Sequence, residues 1–217
     1  MVPQLAPDEC RVLGTLIEKA QTTPNQYPLT LNALVNGVNQ KSNRWPVVSI
    51  DEDRALRAID GLRSKGLVRE VSMAGARVEK FRHVARESLA VGTNELVILA
   101  ELLLRGPQTV GEIRGRASRM HPLETLEGTQ AVLEEMAKGE RIFVREIPPA
   151  PGSRAKRWMQ LLCPNLHPLD SAGPSDEESG DQAAGSPSGA SARIDELEGR
   201  VARLEEELAA LRRSLGA

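Results

Sequence analysis

LRAIDGLRSKGLVREVSMAGARVEKFRHV, residues 56–84, changes character half-way along. Leu56, Ile59 and Leu62 recur at helical spacing and predict the buried stripe of a helix. A Lys65-Gly66 turn then leads into a strand, an Ala74-Gly75 tip and a second strand, which together predict a β-hairpin. The same order recurs in VLEEMAKGERIFVREIPPAPGSRAKRWMQLL, residues 132–162, with Lys138-Gly139 at the turn and Pro151-Gly152 at the tip.

The repeat extends upstream. ECRVLGTLIEK (9–19) matches ELVILAELLLR (95–105), both with apolar residues at helical spacing. LTLNAL (29–34) matches QTVGEI (108–113), each with a Thr before a short helix. Helix–helix–helix–hairpin, twice, is the plan of tandem winged-helix domains. The predicted fold class is mainly α with small β-hairpin wings (α+β): a first winged-helix domain at 1–88 and a second at 92–163. Ser49-Ile50-Asp51-Glu52 has the pattern of a capping box, with the serine as cap. Leu31, Leu34, Val35 and Val38 form a stripe on the second helix, and Pro24 and Pro28 keep the preceding loop out of helix.

Residues 164–190 contain few large apolar side chains and predict a flexible acidic Pro/Gly/Ser linker. Residues 191–216 predict a coiled-coil helix, with Ile194, Val201, Leu208 and Leu215 at a and Leu197, Leu204 and Leu211 at d. Arg193–Glu198, Arg200–Glu205 and Glu207–Arg212 are opposite in sign as g–e′ partners, the pattern of a parallel homodimer. The alternative is that this helix folds back on its own body.

Composition excludes several classes. Hydrophobic residues at 40% and charged residues at 27% are ordinary for a globular chain, whereas aromatics at 2% argue against base-stacking platforms. Cys10 and Cys163 have no metal or redox spacing, Cys10 reads as a small buried side chain, and a reducing, cytoplasmic setting is expected. Neither a signal peptide nor a membrane span is predicted, since LVILAELLLRG is short and contains Glu101. The charge balance is +3 over 1–90, +1 over 91–168 and −6 over 169–217, a weakly basic body with an acidic tail.

Nothing predicts catalysis. His83, His121 and His167 are far apart, no nucleophile or phosphate-loop motif occurs, and Glu134-Glu135 falls on a solvated face. No enzyme activity, metal or cofactor is expected.

Nucleic acid is the obvious partner for such a fold, but the charges pull both ways. A helix-turn-helix presents its second motif helix to the major groove. Here the first domain's helix begins Asp51-Glu52-Asp53 and its exposed face mixes Asp53, Arg54, Arg57, Asp60 and Ser64, while the second shows Glu127, Glu134 and Glu135 with only Lys138 to offset them. Carboxylates facing phosphates oppose the counterion release that drives binding. The cations lie elsewhere: Lys41, Arg44, Arg77, Lys80 and Arg82, then Arg114, Arg116, Arg119, Arg154, Lys156 and Arg157. The first expectation is therefore a DNA-associated regulator binding duplex through its wings and the Lys41–Arg44 loop. The rival is a dimeric protein-interaction adaptor without DNA contact.

NQYPLTLNALVNGVNQKSNR (25–44), ARVEKFRH (76–83), LLLRGPQTVGEIR (102–114) and the heptads resemble the YceH family of bacterial proteins over nearly the whole chain. The resemblance implies the tandem winged-helix fold and supplies no active site. Trp45, where an Asp is usual, and Val38, where a Cys is common, depart from the family's pattern. Within this motif Asn32, Asn36, Asn39 and Asn43 form a stripe beside the apolar one. Asn is a poorer helix former than Glu or Lys but offers a donor and an acceptor at short reach. The stripe is thus either a recognition surface or local capping and loop contact.

Overall fold

A computed structural model describes residues 2–71 and 78–167. Arg77, the linker from residue 168 onward and the coiled-coil seam Ile194–Leu215 lie outside the described residues.

Helix α1 (Pro7–Thr22) is followed by a 3-10 turn (Pro24–Gln26), strand β1 (Leu29–Thr30), α2 (Leu31–Val38), α3 (Glu52–Ser64), β2 (Val68–Val71) and β3 (Lys80–His83). Short α4 (Ala85–Leu89) connects to α5 (Thr93–Arg105), α6 (Val110–Ala117), α7 (Leu126–Met136), β4 (Val144–Ile147) and β5 (Arg157–Gln160). The described chain is thus α+β, mainly helical, and three helices followed by a hairpin occur twice.

Local chemistry sets the helix starts. Thr30 caps α2, its Oγ1 accepting from Ala33 N at 3.3 Å. Thr109 caps α6 in the same way, and Glu112 Oε2 accepts in return from Thr109 N at 2.8 Å. At α3 the cap is Asp51, whose Oδ1 accepts from Arg54 N at 2.8 Å, and not the expected Ser49. The carboxylate stands next to the first turn, while the Ser49 carbonyl accepts from Arg54 Nη1 instead. The buried stripe of α3 is Ala55, Ala58, Ile59 and Leu62. Leu56, expected inside, is 38% exposed, because it lies about 100° round the helix from Ala55.

In the first half the sheet order is β1-β3-β2, all antiparallel, with Leu29 opposite Phe81 and Val68 opposite His83. In the second, β4 pairs with β5 from Val144–Gln160 to Ile147–Arg157. Gln108 takes the place of β1 there, exchanging backbone hydrogen bonds of 3.1 and 2.7 Å with Trp158.

One hydrophobic cluster runs through both halves. Its centre is the packing of α1 on α5, which buries Val12, Leu13, Leu16 and Ile17 against Leu99, Leu103 and Leu104. Gly14 permits the close approach: a Cβ there would lie 3.0 Å from Leu104 Cγ and 3.2 Å from Leu103 Cβ. The N-terminal segment returns to the second hairpin, with Leu5 N donating to Leu162 O at 2.8 Å. The Cys10 thiol lies close to that of Cys163 and is fully buried, as expected. Leu166 and His167 also pack on the body. Among the described residues no helix is long and apolar enough to cross a membrane.

Candidate partner-binding surface

The asparagine-rich motif divides into residues turned inward and residues turned out. Tyr27 Oη accepts from His83 N at 2.6 Å and fastens the loop to the first hairpin. Asn39, just past α2, uses its whole amide on one residue: Oδ1 accepts from Ile50 N and Nδ2 donates to Ile50 O, both at 2.8 Å. Asn43 has φ of 56°, the left-handed region that asparagine tolerates better than most residues. Asn32 and Asn36 are exposed and bonded to each other at 3.1 Å. The stripe therefore splits, with Asn39 and Asn43 shaping the loop and Asn32 and Asn36 on the surface.

Arg44, expected at a partner surface, is 3% exposed. Its guanidinium forks onto Glu18 of α1, with Nη1 at 3.1 Å from Oε1 and Nη2 bonded to Oε2, and Nη2 also reaches Gly37 O at 3.0 Å. Arg119, after α6, adds a 2.5 Å bond to Glu18 Oε1 and a 3.3 Å bond to Glu101 Oε2 of α5. A charged chain thus runs from the asparagine loop through both halves. Burial alone would raise the Glu18 carboxyl, but the hydrogen bonds and charge of Arg44, helped by Arg119, bring it below its ordinary value. At Glu101 burial prevails over Arg119 and Arg105, and that carboxyl is pushed up.

Next to this chain, Arg11 donates to Leu104 O at 3.3 Å and to Pro46 O at 2.5 Å, while Trp45 N donates to Leu104 O at 2.9 Å. The Trp45 indole stacks on the His167 imidazole, centroids 5.5 Å apart and planes 14° from parallel. Since Trp45 O can only accept, its 2.8 Å bond with His167 Nε2 places a proton on that nitrogen. Burial, with the charge of Arg11 on the same side, lowers His167 to about 4 despite the bond to Trp45.

Several other expected surface cations are also engaged internally. Arg114 donates to Glu124 O at 3.1 Å, and buried Arg116 to Gln108 Oε1 at 2.9 Å. Lys156 pairs with Glu146 at 2.7 Å, and buried Arg157 donates to Pro148 O at 3.4 Å. Lys41, Arg82 and Arg154 are exposed and Lys80 is half-buried, none of them in an ion pair among the described residues. Among the described residues, part of the expected set is turned inward and part stays at the surface.

The third helix of each half has a different surface. On α3, exposed Leu56 stands among Glu52, Asp53, Arg57 and Asp60. On α7, Leu126 is 47% exposed, beside Glu127 and on the same helix as exposed Glu134 and Glu135. Among the described residues no group of three or more His, Cys, Asp or Glu is arranged to hold a metal ion.

Glu18 and Glu101, which organise the buried charges, were not among the expected site residues. Their signal in the sequence was position: Glu101 interrupts the apolar run of α5, and Glu18 closes the apolar run of α1 beside Lys19.

Residues 5–153 match the profile of a family described as "Protein of unknown function, DUF480". A UPF0502 protein of Dechloromonas aromatica is 45% identical over 212 residues, covering 97% of this chain and 93% of that protein. Another from Geobacter sulfurreducens is 44% identical over 205 residues, covering 94% and 88%. A third, from Geotalea daltonii, is 51% identical over 154 residues, covering 71% and 70%. With a profile match over most of its length and relatives aligned almost end to end, this chain belongs to the DUF480, or UPF0502, family of bacterial proteins.

Proposed function

We propose that this protein is a tandem winged-helix adaptor: a non-catalytic, cytoplasmic module that docks protein partners on the faces of α3 and α7. One observation carries the reading. Both helices that would enter a DNA groove present an exposed leucine beside exposed carboxylates: Leu56 among Glu52, Asp53 and Asp60 on α3, with Arg57, and Leu126 next to Glu124 and Glu127 at the start of α7. Such a face repels phosphates and suits a partner segment that combines basic and apolar side chains. The internal engagement of Arg44, Arg116, Arg119 and Arg157 further weakens a DNA surface. A homodimer formed through the heptads of 191–216 would present the faces twice and add avidity.

The test has two arms. Fluorescence anisotropy of a generic duplex over a salt series should show no binding by the full chain even at low salt. Binding with a steep salt slope, lost in Arg82→Ala/Arg154→Ala, would replace the adaptor reading with wing-mediated DNA association. In the second arm, tagged full chain and a Leu126→Lys/Glu127→Lys variant are compared in nuclease-treated extract. A protein retained by the first and lost by the second supports the adaptor; identical partner sets overturn it. Sedimentation of a chain ending at Asp170 should show loss of the dimer, and an unchanged dimer would remove the coil from the proposal.

A further inference from the structure

Between α1, the 3-10 turn and α2 lies a cleft of about 320 Å³, room for roughly ten waters' volume. It sits within the asparagine-rich motif, yet none of the loop-shaping residues Asn39, Asn43 and Arg44 lines it. Its polar lining is Lys19, Thr23, Gln26, Asn36 and Gln40, around the apolar side chains of Leu29 and Ala33. Gly37 sets the clearance, since a Cβ there would lie 2.9 Å from Thr15 Cγ2 and 3.5 Å from Lys19 Cε.

Lys19 is a half-buried cation with no carboxylate in ion-pair distance among the described residues. Its partner is neutral, Gln40 Oε1 at 3.0 Å. The adjacent carboxylate, Glu18, is already taken: both of its oxygens accept from Arg44, and Oε1 also from Arg119. Burial lowers the ammonium, and the charges of Arg44 and Arg119 lower it further against Glu18 alone. An anion in the cleft would relieve this positive surplus.

We propose that this cleft is a carboxylate-binding site, with Lys19 pairing the charge and the amides of Gln26, Asn36 and Gln40 reading a neighbouring amide group. Gln26 and Asn36 are exposed; Asn36 Nδ2 gives one N–H to Asn32 Oδ1 and Gln40 Nε2 one to Ser42 Oγ, which leaves each amide a second N–H and a free oxygen lone pair, so the three complement a peptide-like unit. One lysine matches a single negative charge. Phosphate is disfavoured, because no arginine lines the cleft and the first-turn N–H of Ala33 is already given to Thr30 Oγ1. The ligand is then a small acylated amino acid or the C-terminus of a peptide, which present the same chemistry.

The test is titration of the full chain with N-acetylglycine, N-acetylglycinamide and inorganic phosphate, followed by calorimetry and by NMR of the Lys19 side chain. N-acetylglycine should bind and raise the lowered titration midpoint of Lys19, and the uncharged amide should not. Lys19→Gln should weaken binding at least about tenfold, Asn36→Ala should weaken it less, and Lys41→Gln should leave it unchanged. All three positions are exposed or half-exposed, and unaltered thermal melting checks that the variants fold. A tripeptide ending in Gly that binds more tightly than N-acetylglycine assigns the site to a peptide terminus; equal or weaker binding assigns it to a free small carboxylate. The proposal is overturned if the neutral amide or phosphate binds as well as N-acetylglycine, if Lys19→Gln has no effect, or if N-acetylglycine binds more weakly than about 10 mM.

Discussion

Replacing Glu18 by Gln tests the charged chain that joins the two halves. Glu18 and Arg44 side chains are 2% and 0% exposed, so neither can turn to water when the other changes. The carboxylate accepts two bonds from Arg44 and one from Arg119. Glutamine retains one accepting oxygen but turns an N–H₂ toward guanidinium donors, leaving a buried cation without its counter-charge. Breaking one side of a buried pair costs about 3–5 kcal/mol, set against a total of roughly 5–15 kcal/mol for a typical domain. Urea denaturation should therefore show a large fall in midpoint, with Trp45 fluorescence reporting the junction and Trp158 the second hairpin. Exchanging both partners, as Glu18→Leu with Arg44→Met, should recover much of the loss, because no Arg44 charge is then buried. A loss below about 1 kcal/mol for Glu18→Gln, or a double variant worse than the single, would refute the assignment of this pair as a buried, desolvated one. The effect should also depend on pH. Glu18 titrates below its ordinary value when folded, so its contribution is present above that ordinary value and is lost as pH falls through the lowered one.

Three further outcomes are expected. His167, lowered from 6.5 to about 4, should remove on the order of 3 kcal/mol of stability as pH falls from 6.5 toward 4, because the unfolded chain takes up the proton first. Denaturation at pH 7 and near pH 4 should show that fall in the natural chain and a smaller one in His167→Gln. Asn39→Ala, which leaves both backbone groups of Ile50 unpaired, should cost about 1–3 kcal/mol, and Asn39→Asp should cost less because the acceptor remains; thermal melting ranks them. Cys163, brought to about 7 mainly by the adjacent Cys10 thiol, should react with iodoacetamide faster than fully buried Cys10, whose thiol is pushed up by burial. Peptide mapping of labelled native protein measures the order, and Cys10 labelling first would contradict it.

The doubled helix–helix–helix–hairpin order was legible because its signals are local: 3.6-residue periodicity, a Thr before each second helix and a Lys-Gly turn before each hairpin. Leu56 and Ser49 show the limit of such reading. The cap falls on Asp51, two residues past the expected Ser49, and Leu56, expected inside, lies off the buried face. The α1–α5 interface was not legible as such: Val12–Ile17 and Leu96–Leu104 are mostly apolar, broken only by Gly14, Thr15 and Glu101, which marks two helices with a large buried side. That signal identified buried helices but not which helix faced which. Arginines were the least legible. Arg44 and Lys41 stand three residues apart in one polar run, and only the arrival of Glu18 from α1 sends one inward and leaves the other out. Lys19 carries no such signal for the same reason, its neighbours in the cleft coming from a helix, a turn and a second helix.

The Leu5–Leu162 hydrogen bond joins the entrance of the body to its exit. The folded path is therefore nearly a closed loop, in which the two halves are neighbours at both of their junctions. In such a ring the order of the halves is a matter of where the chain is cut. A permuted chain, opened between α4 and α5 and rejoined by a short linker across the Leu5–Leu162 closure, would retain the α1–α5 layer and both hairpins.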